Sequence, residues 1–385
     1  MDSYVNRRIW NTISDHMDEI TDLLPSNTGR MSLTTSLTRA LKVDLGCDVV
    51  EAKDATDKEL TSFHGKEFVT ELLRQRGSNV EEIDDEKEAH FNKTSHLEKF
   101  GLVYDCPLFC GLDRYVRAVA GSSINSARKL LSDTKDHLLA INWYGGRHHC
   151  QKNRAAGFCY VNDIVMAINV LRRRYRKVFY LDLDLHHGDG VESAFEHSSS
   201  VLTCSIHRYD VGFFPGTGSL KSNTATKVNI PTEKGLSDKT LATIMAEIVY
   251  PVILKFKPDA FVVQLGCDGL STDPAKEWNL TIQGMGSIVE DLLRFVEPKP
   301  CLFLGGGGYN HTEAAKFWTY ITSIISGIDT VRNIDEIPDH KHLEEYEHDG
   351  YLFWTPKNTT ARSIADRNTS NYLHEVKTTI LTNFS

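Results

Sequence analysis

From about residue 137 onward, short apolar runs alternate with longer stretches in which apolar positions recur every three or four residues. Brief continuous apolar runs read as strands buried on both faces, and the longer period reads as helices laid against them. The pattern predicts strands at His137–Trp143, Lys177–Leu183, Val201–Ile206, Ala260–Leu265 and Cys301–Leu304. It predicts helices at Val161–Tyr175, Leu236–Lys255, Thr281–Val296 and Thr312–Ile325. This alternation implies an α/β fold, a parallel sheet flanked by helices. The acidic stretch Asn79–Glu88 reads as a loop or helix edge, and Lys221–Thr226 as a surface loop. Internal repeats, low-complexity tracts and Pro/Gly linkers are absent. One domain over 1–385 is therefore expected, with a core at about 28–330 and the segment 331–385 packed on it.

Function in such sheets collects at the carboxyl ends of the strands. The predicted strands are followed in turn by Gly145-Gly-Arg-His-His149, by Asp182-Leu-Asp-Leu-His-His-Gly-Asp189, by His207, by Gly266-Cys-Asp268 and by Gly305-Gly-Gly-Gly-Tyr309. On an extended chain Asp182, Asp184 and His186 share a side. Two carboxylates converging with an imidazole in a buried place repel and lose hydration unless a cation sits between them. Oxygen and nitrogen ligands without a thiolate suit zinc or another divalent ion. A solvated acidic loop is the plainer alternative, but it does not account for carboxylates following so apolar a strand in register. Asp268, from another strand end, is the natural third ligand, and three protein ligands leave a position open for water or substrate. Taken alone, Asp268 reads equally well as a helix cap.

His148 and His149 would diverge on a regular strand, but in a loop both can face one cavity. A neutral imidazole oriented by a carboxylate is a competent general base, and Asp182 and Asp189 are available to orient one histidine each. The four glycines before Tyr309 lack the lysine and hydroxyl of a phosphate loop. They instead let a tyrosine approach the metal, where its phenol can donate to a developing oxyanion. Gly157-Phe-Cys-Tyr160 and Gly212-Phe-Phe-Pro-Gly-Thr-Gly218 frame aromatic rings with glycine. They read either as turns with core phenylalanines or as the walls of a narrow channel for an alkyl chain.

Composition narrows the partners. Apolar residues make up 41% and charged residues 25%, ordinary for a protein with a sizeable core, and the formal charge is −9. That balance argues against direct nucleic-acid binding and is compatible with basic peptides. No apolar stretch is long enough to cross a bilayer, and the first residues lack a signal-peptide core, so no membrane partner is expected. The eight cysteines include no Cys-x-x-Cys pair and read as free thiols of a reducing compartment.

Together, Tyr104-Asp-Cys-Pro107, Gly145–His149, Gly157–Asn162, Tyr180–Gly190, Gly212–Gly218 and Gly305–Asn310 resemble the zinc-dependent histone deacetylases, most closely class I, of the arginase/deacetylase fold. The resemblance implies one zinc on Asp184, His186 and Asp268. It implies paired histidines His148 and His149 partnered by Asp182 and Asp189, with Tyr309 stabilising the oxyanion. It makes Phe158 and Phe214 the walls of an acetyl-lysine tunnel, Gly157 its floor and Asp105 the rim aspartate that holds the substrate backbone. It also implies structural K+ or Na+, at an inner site of Asp182, Asp184, His186, Ser205 and Ile206 and at a less well matched one of Phe195, Ser198 and Val201.

The first thirty residues fit the family poorly, so its opening strand and tyrosine are expected to be missing or replaced. Arg147 stands where an apolar residue is usual, and Ala275 where a larger rim residue is common. Arg147 is read either as a charge near the tunnel mouth beside Asp105, which would repel basic histone tails, or as turned inward onto a structural carboxylate; Ala275 is read as a widened rim that admits a structured protein loop. With Asp22-Leu-Leu-Pro25 and Glu277-Trp-Asn-Leu, these features resemble a fungal branch that deacetylates the ATPase-head subunit of cohesin. The implied function is hydrolysis of N6-acetyl-lysine in a histone tail or a cohesin subunit, with chromatin-associated partners, in the nucleus alone or in nucleus and cytoplasm. His149 is taken as general base and later acid, with His148 as electrostatic helper. An arginase-like two-metal site would need a second aspartate at position 270, which is Leu270. A small-molecule (polyamine-type) deacetylase shares the core and differs at the rim, and a catalytically inactive scaffold would lack a ligand or the tyrosine.

Overall fold

The computed structural model describes residues 7–74, 95–132, 138–362 and 364–384. Eight parallel strands form one sheet: β1 (Arg8–Asn11), β2 (Asp48–Val49), β3 (Leu138–Asn142), β4 (Val178–Asp182), β5 (Val201–Arg208), β6 (Lys227–Thr232), β7 (Ala260–Gln264) and β8 (Cys301–Leu304). Their order is β2-β1-β3-β8-β7-β4-β5-β6. The five predicted strands are present, and β3, β4, β5, β7 and β8 are buried along their whole length. Their side chains face helices on both sides, which is why they read as unbroken apolar runs. Asn79–Glu88 and His137 lie outside the described residues.

The expectation about the opening region is overturned for the strand, which is present, and not for its tyrosine. β1 pairs in parallel with β3, Arg8 opposite Leu138 through Asn11 opposite Ile141. Its four residues contain no tyrosine, and with arginine at one end and asparagine at the other it carried no apolar run.

Helix ends follow local chemistry. The predicted Val161–Tyr175 helix spans Asp163–Leu171, because Asn162 caps it by accepting a hydrogen bond from the Val165 amide. The predicted Leu236–Lys255 helix starts after the cap Ser237 and opens into a π turn at Met245–Val249 just before Pro251, which has no N–H to continue the ladder. Ile282–Val296 follows the cap Thr281, and His311–Ser326 ends at Gly327, whose φ of 75° closes the last turn. Residues beyond 330 join the body through Lys316, fully buried, whose Nζ reaches Glu313 Oε1 and Asp349 Oδ2, both at 2.9 Å. Asp366 accepts from the hydroxyls of Ser237 (2.7 Å) and Thr240 (2.6 Å).

Asp18, in the helix Asp15–Thr21, is buried with Oδ1 accepting from the hydroxyls of Thr35 and Tyr144, each at 2.8 Å. Burial pushes its pKa from 3.8 up to about 7. Between pH 4 and 7 the folded protein thus keeps a proton that the unfolded chain has released, and stability from this group falls as pH rises through that window. Asp18→Asn keeps the acceptor and removes the charge. It is expected to stabilise by roughly 1–2 kcal/mol at pH 8 and by little at pH 4. Thermal melts of both proteins at both pH values check this; an equal gain at each would mean that Asp18 is not the titrating group.

Candidate active site and metal centre

Asp184 and His186 follow the end of β4, and Asp268 lies four residues past β7. One ligand atom from each lies within 4.8 Å of the others. His186 Nδ1 is 2.8 Å from Asp268 Oδ2 and 3.4 Å from Asp184 Oδ1. Backbone and side-chain donors hold the carboxylates: Gln264 Nε2 (2.8 Å) and the Gly307 amide (2.9 Å) donate to Asp184 Oδ2, and the Leu185 amide (3.0 Å) donates to Asp268 Oδ1. Gly307 has to be glycine, since a Cβ there would stand 2.4 Å from Asp268 Oδ2.

Burial, then the charge of Asp184, pushes Asp268 up to about 7. Burial also opposes the charge on Asp184, but His148 and His186 overcome it and hold that carboxyl well below its usual range. His186 is raised to about 10, because its bonds to the two carboxylates outweigh burial. Two buried carboxylates aimed at one imidazole nitrogen, with a proton standing in for positive charge, form a donor set that fits a divalent cation.

His148 and His149 leave β3 through Gly145 and Gly146 and lie with ring centroids 3.9 Å apart. His148 Nδ1 bonds Asp182 Oδ2 at 2.9 Å, and the Tyr180 hydroxyl donates to the same oxygen at 2.6 Å. His149 Nδ1 bonds Asp189 Oδ1 at 2.7 Å, while Gln151 Nε2 donates to Oδ2 at 2.8 Å. The environments split the pair. Burial opposes charge on both, yet Asp182 and Asp184 lift His148 to about 9, whereas burial and the charge of His148 push His149 down to about 4.

Above these groups stand the aromatic residues. Phe158 meets the Tyr309 ring edge-on at 5.8 Å, and Phe214 meets His149 at 4.8 Å. Phe213 stacks on His186 at 5.4 Å. Gly157, at φ 55°, leaves no room for a Cβ, which would meet His149 Cδ2 at 2.4 Å. Its amide donates to Asp105 Oδ2 at 2.5 Å. Tyr309 is oriented through its backbone, whose amide donates to Asp273 Oδ2 at 2.8 Å; Asp273 Oδ1 accepts from the amide of exposed Ala275 at 2.9 Å.

Arg147 requires a correction. The tunnel-mouth placement beside Asp105 is overturned in favour of the inward one: Arg147 is 4% exposed, with its amide donating to Asp163 Oδ1 at 2.8 Å. The loop from β3 turns its side chain inward, towards Tyr115, Cys159, Asp163 and Tyr309. It carries no charge at the rim, and the argument that it repels basic histone tails falls with that.

Of the residues assigned to monovalent cations, Ser205 stands opposite Asp182 in the β4–β5 register, with Ile206 next to it in β5. Phe195, Ser198 and Val201 gather towards the start of β5, where the Ser198 amide donates to Phe195 O at 2.8 Å. Sequence reading missed Gln264, Asp273, Tyr180, Gln151 and Asp163, which hold the site's side chains or backbone. Only their positions at strand ends or beside a glycine turn could have drawn attention to them.

Residues 24–325 match the histone deacetylase domain model. The chain is 37% identical over 353 residues to histone deacetylase 8 of Xenopus tropicalis, covering 90% of this chain and 89% of that protein. It is 35% identical over 364 residues to human histone deacetylase 1, covering 93% and 71%. It is 38% identical over 283 residues to histone deacetylase HOS1 of Saccharomyces cerevisiae, covering 68% and 60%. The chain belongs to the histone deacetylase family. It is accordingly a hydrolase of the acetyl-lysine type, in a family characterised by zinc dependence. Among the described residues, no helix of this deacetylase is long and apolar enough to cross a membrane.

Proposed function

We propose that the protein is a zinc-dependent protein lysine deacetylase that hydrolyses the amide of N6-acetyl-lysine. The observation that carries this reading is the cluster at the carboxyl end of the sheet, where Asp184, His186 and Asp268 converge beside two carboxylate-paired histidines, with Tyr309 edge-on to Phe158. Zinc held by the three ligands would polarise the acetyl carbonyl and acidify the attacking water.

The side chains divide the remaining work. Asp189 fixes His149 through Nδ1, which leaves Nε2 to take a proton from water and return it to the departing amine. Burial and the charge of His148 keep that imidazole neutral and able to accept. His148, tied to Asp182, supplies positive charge beside the reacting centre. Burial, then Asp268 and Asp184, keeps the Tyr309 phenol well above its usual pKa, so it remains a hydroxyl that can donate to the oxyanion. Phe158, Phe214 and Gly157 line the path of the lysine chain, and Asp105 and Ala275 belong to its rim. Asp182, Asp184, His186, Ser205 and Ile206 would hold an inner K+ or Na+, and Phe195, Ser198 and Val201 a second one.

The substrate is an acetylated protein, a histone tail or the cohesin ATPase-head subunit, met in the nucleus in the company of chromatin-associated partners. The rim favours a peptide over a polyamine: Tyr104 is 82% exposed, Val211 98% and Phe214 42%, an apolar edge suited to flanking side chains. Turnover beside metal analysis tests the reading. One zinc per chain and turnover of acetylated histone or cohesin peptides at least tenfold above acetylpolyamine is expected. Faster turnover of acetylpolyamine would overturn the protein substrate, and metal-independent turnover would overturn the metal assignment.

A further inference from the structure

His207 stands near the carboxyl end of β5, fully buried, and takes no part in the steps above. Its ring makes two hydrogen bonds, Nδ1 with Ser205 Oγ at 2.9 Å and Nε2 with Gly218 O at 2.8 Å. A carbonyl has no proton to give, so Nε2 carries the hydrogen. Neither bond reaches an acid, and at full burial a charged ring would go uncompensated, so the imidazole is neutral and Nδ1 is bare. The Ser205 hydroxyl therefore donates to Nδ1, which leaves its lone pairs for other partners.

Asp182 stands opposite Ser205 in the β4–β5 register, and Ser205 and His207 are two apart in one strand, so all three side chains share a face. With its proton committed to His207, Ser205 shows Asp182 an oxygen and no hydrogen, and among the described residues no hydrogen bond joins the two. Asp182 Oδ1 takes the Asp184 amide at 3.2 Å. The carbonyls of Asp184 and His186, just beyond, take no backbone hydrogen bond among the described residues. A carboxylate, a hydroxyl oxygen and unbonded carbonyls with no proton between them form an all-oxygen donor set, which fits a hard cation such as K+ or Na+. On its other side His207 meets the aromatic loop. Gly218, at φ 84°, brings its carbonyl to the ring, where a Cβ would stand 2.3 Å from His207 Nε2 and 2.7 Å from His187 Cγ. Thr217 Oγ1 is bonded to His187 Nδ1 at 2.8 Å. The same loop carries Phe213 against His186 and Phe214 against His149.

We propose that His207 is a positioning residue with two loads. By taking the Ser205 proton it aims the hydroxyl oxygen at a monovalent cation beside Asp182, and through Nε2–H it holds Gly218 and with it the loop of Phe213 and Phe214. The inference rests on the deacetylase reading of the same site and on the inner cation site proposed with it. A cation at Ser205 Oγ polarises the hydroxyl into a stronger donor to Nδ1, which in turn makes Nε2–H a stronger donor to Gly218. Affinity for the cation and seating of the aromatic loop are therefore linked, and the linkage runs both ways.

The experiment titrates the zinc-loaded full-length protein, His207→Asn and His207→Phe with KCl against choline chloride at constant ionic strength. Two quantities are read: the thermal midpoint, which needs no turnover, and KM for one acetyl-lysine peptide. In the wild type the midpoint is expected to rise and saturate with K+, while KM falls. Asparagine puts an amide oxygen near the Nδ1 position and nothing near Nε2. His207→Asn should therefore keep the K+ concentration for half-maximal stabilisation, while its KM no longer responds to K+. His207→Phe, which has neither group, should raise that concentration about tenfold. A merely structural role would lower both variants' midpoints and leave their K+ dependence as in wild type, and that result would overturn the proposal. A second arm reads the wild-type ring by proton–nitrogen NMR, with the His207 signal assigned by its shift in Ser205→Ala. A bare Nδ1 is expected, and a proton on Nδ1 would overturn the proposal even if neither His207 variant folds. No stabilisation of the wild type by K+ over choline would overturn the cation site and the proposal together. A wild type that K+ stabilises but that does not turn over the acetyl peptide would overturn the deacetylase reading alone.

Discussion

Asp268→Ala is expected to abolish metal binding and turnover while leaving the protein folded. Asp268 supplies one of three converging ligands, and its Oδ2 lies 2.8 Å from His186 Nδ1. Without it two protein ligands remain, too few to hold an open catalytic position. The fold has reason to survive. The Leu185 amide loses an acceptor at a cost of about 1–3 kcal/mol. Against that, Asp184 loses a repelling neighbour whose pressure shows in the rise of Asp268 to about 7. Elemental analysis after dialysis should find less than about a tenth of the wild-type zinc, and turnover should fall by about a thousandfold or more. Asp268→Asn, which keeps the shape and an acceptor for Leu185, separates loss of the ligand from loss of packing. An active, metal-replete Asp268→Ala protein would remove Asp268 from the ligand set.

Tyr309→Phe should keep metal content and KM and lose kcat by about a hundredfold, on the order of 3 kcal/mol of oxyanion stabilisation. Little else should change. The ring position is set by the Asp273 bond to the backbone amide and by the edge-on contact with Phe158, and both persist in phenylalanine. A loss confined to kcat is the signature of a bond made only in the transition state. Turnover within about twofold of wild type would show that Tyr309 is not the donor. Asp273→Asn offers a contrast, since it disturbs the backbone that presents the phenol and should affect kcat less than removing the hydroxyl.

The central strands and the chemistry at their ends were legible in the chain because both signals are local. β8 matches its predicted span, and β4 and β7 differ from theirs by a residue at the ends, since burial on both faces leaves no alternative to an apolar run. The strands that escaped notice carry a weaker signal. β2 has two residues, β1 mixes arginine and asparagine with its apolar pair, and β6 contains Asn229 and Pro231 at the sheet edge, where proline is tolerated. The convergence of Asp184, His186 and Asp268 was readable from period and composition: Asp184 and His186 stand two apart after one strand, Asp268 just after another.

Arg147 marks the point where local reading stops. Its place in the sequence, next to two histidines of the site, says nothing about which way the loop turns it. The direction depends on Asp163, sixteen positions away, which takes the amides of Gly146 and Arg147 and draws that turn into the core. Gln264 and Asp273 are similar cases, joined to Asp184 and Tyr309 across 80 and 36 positions. Period, burial pattern and ligand spacing are properties of a few consecutive residues and can be read along the chain. The facing of a loop side chain, and the partner that holds a carboxylate or tyrosine in place, depend on which distant segments the packed sheet brings together.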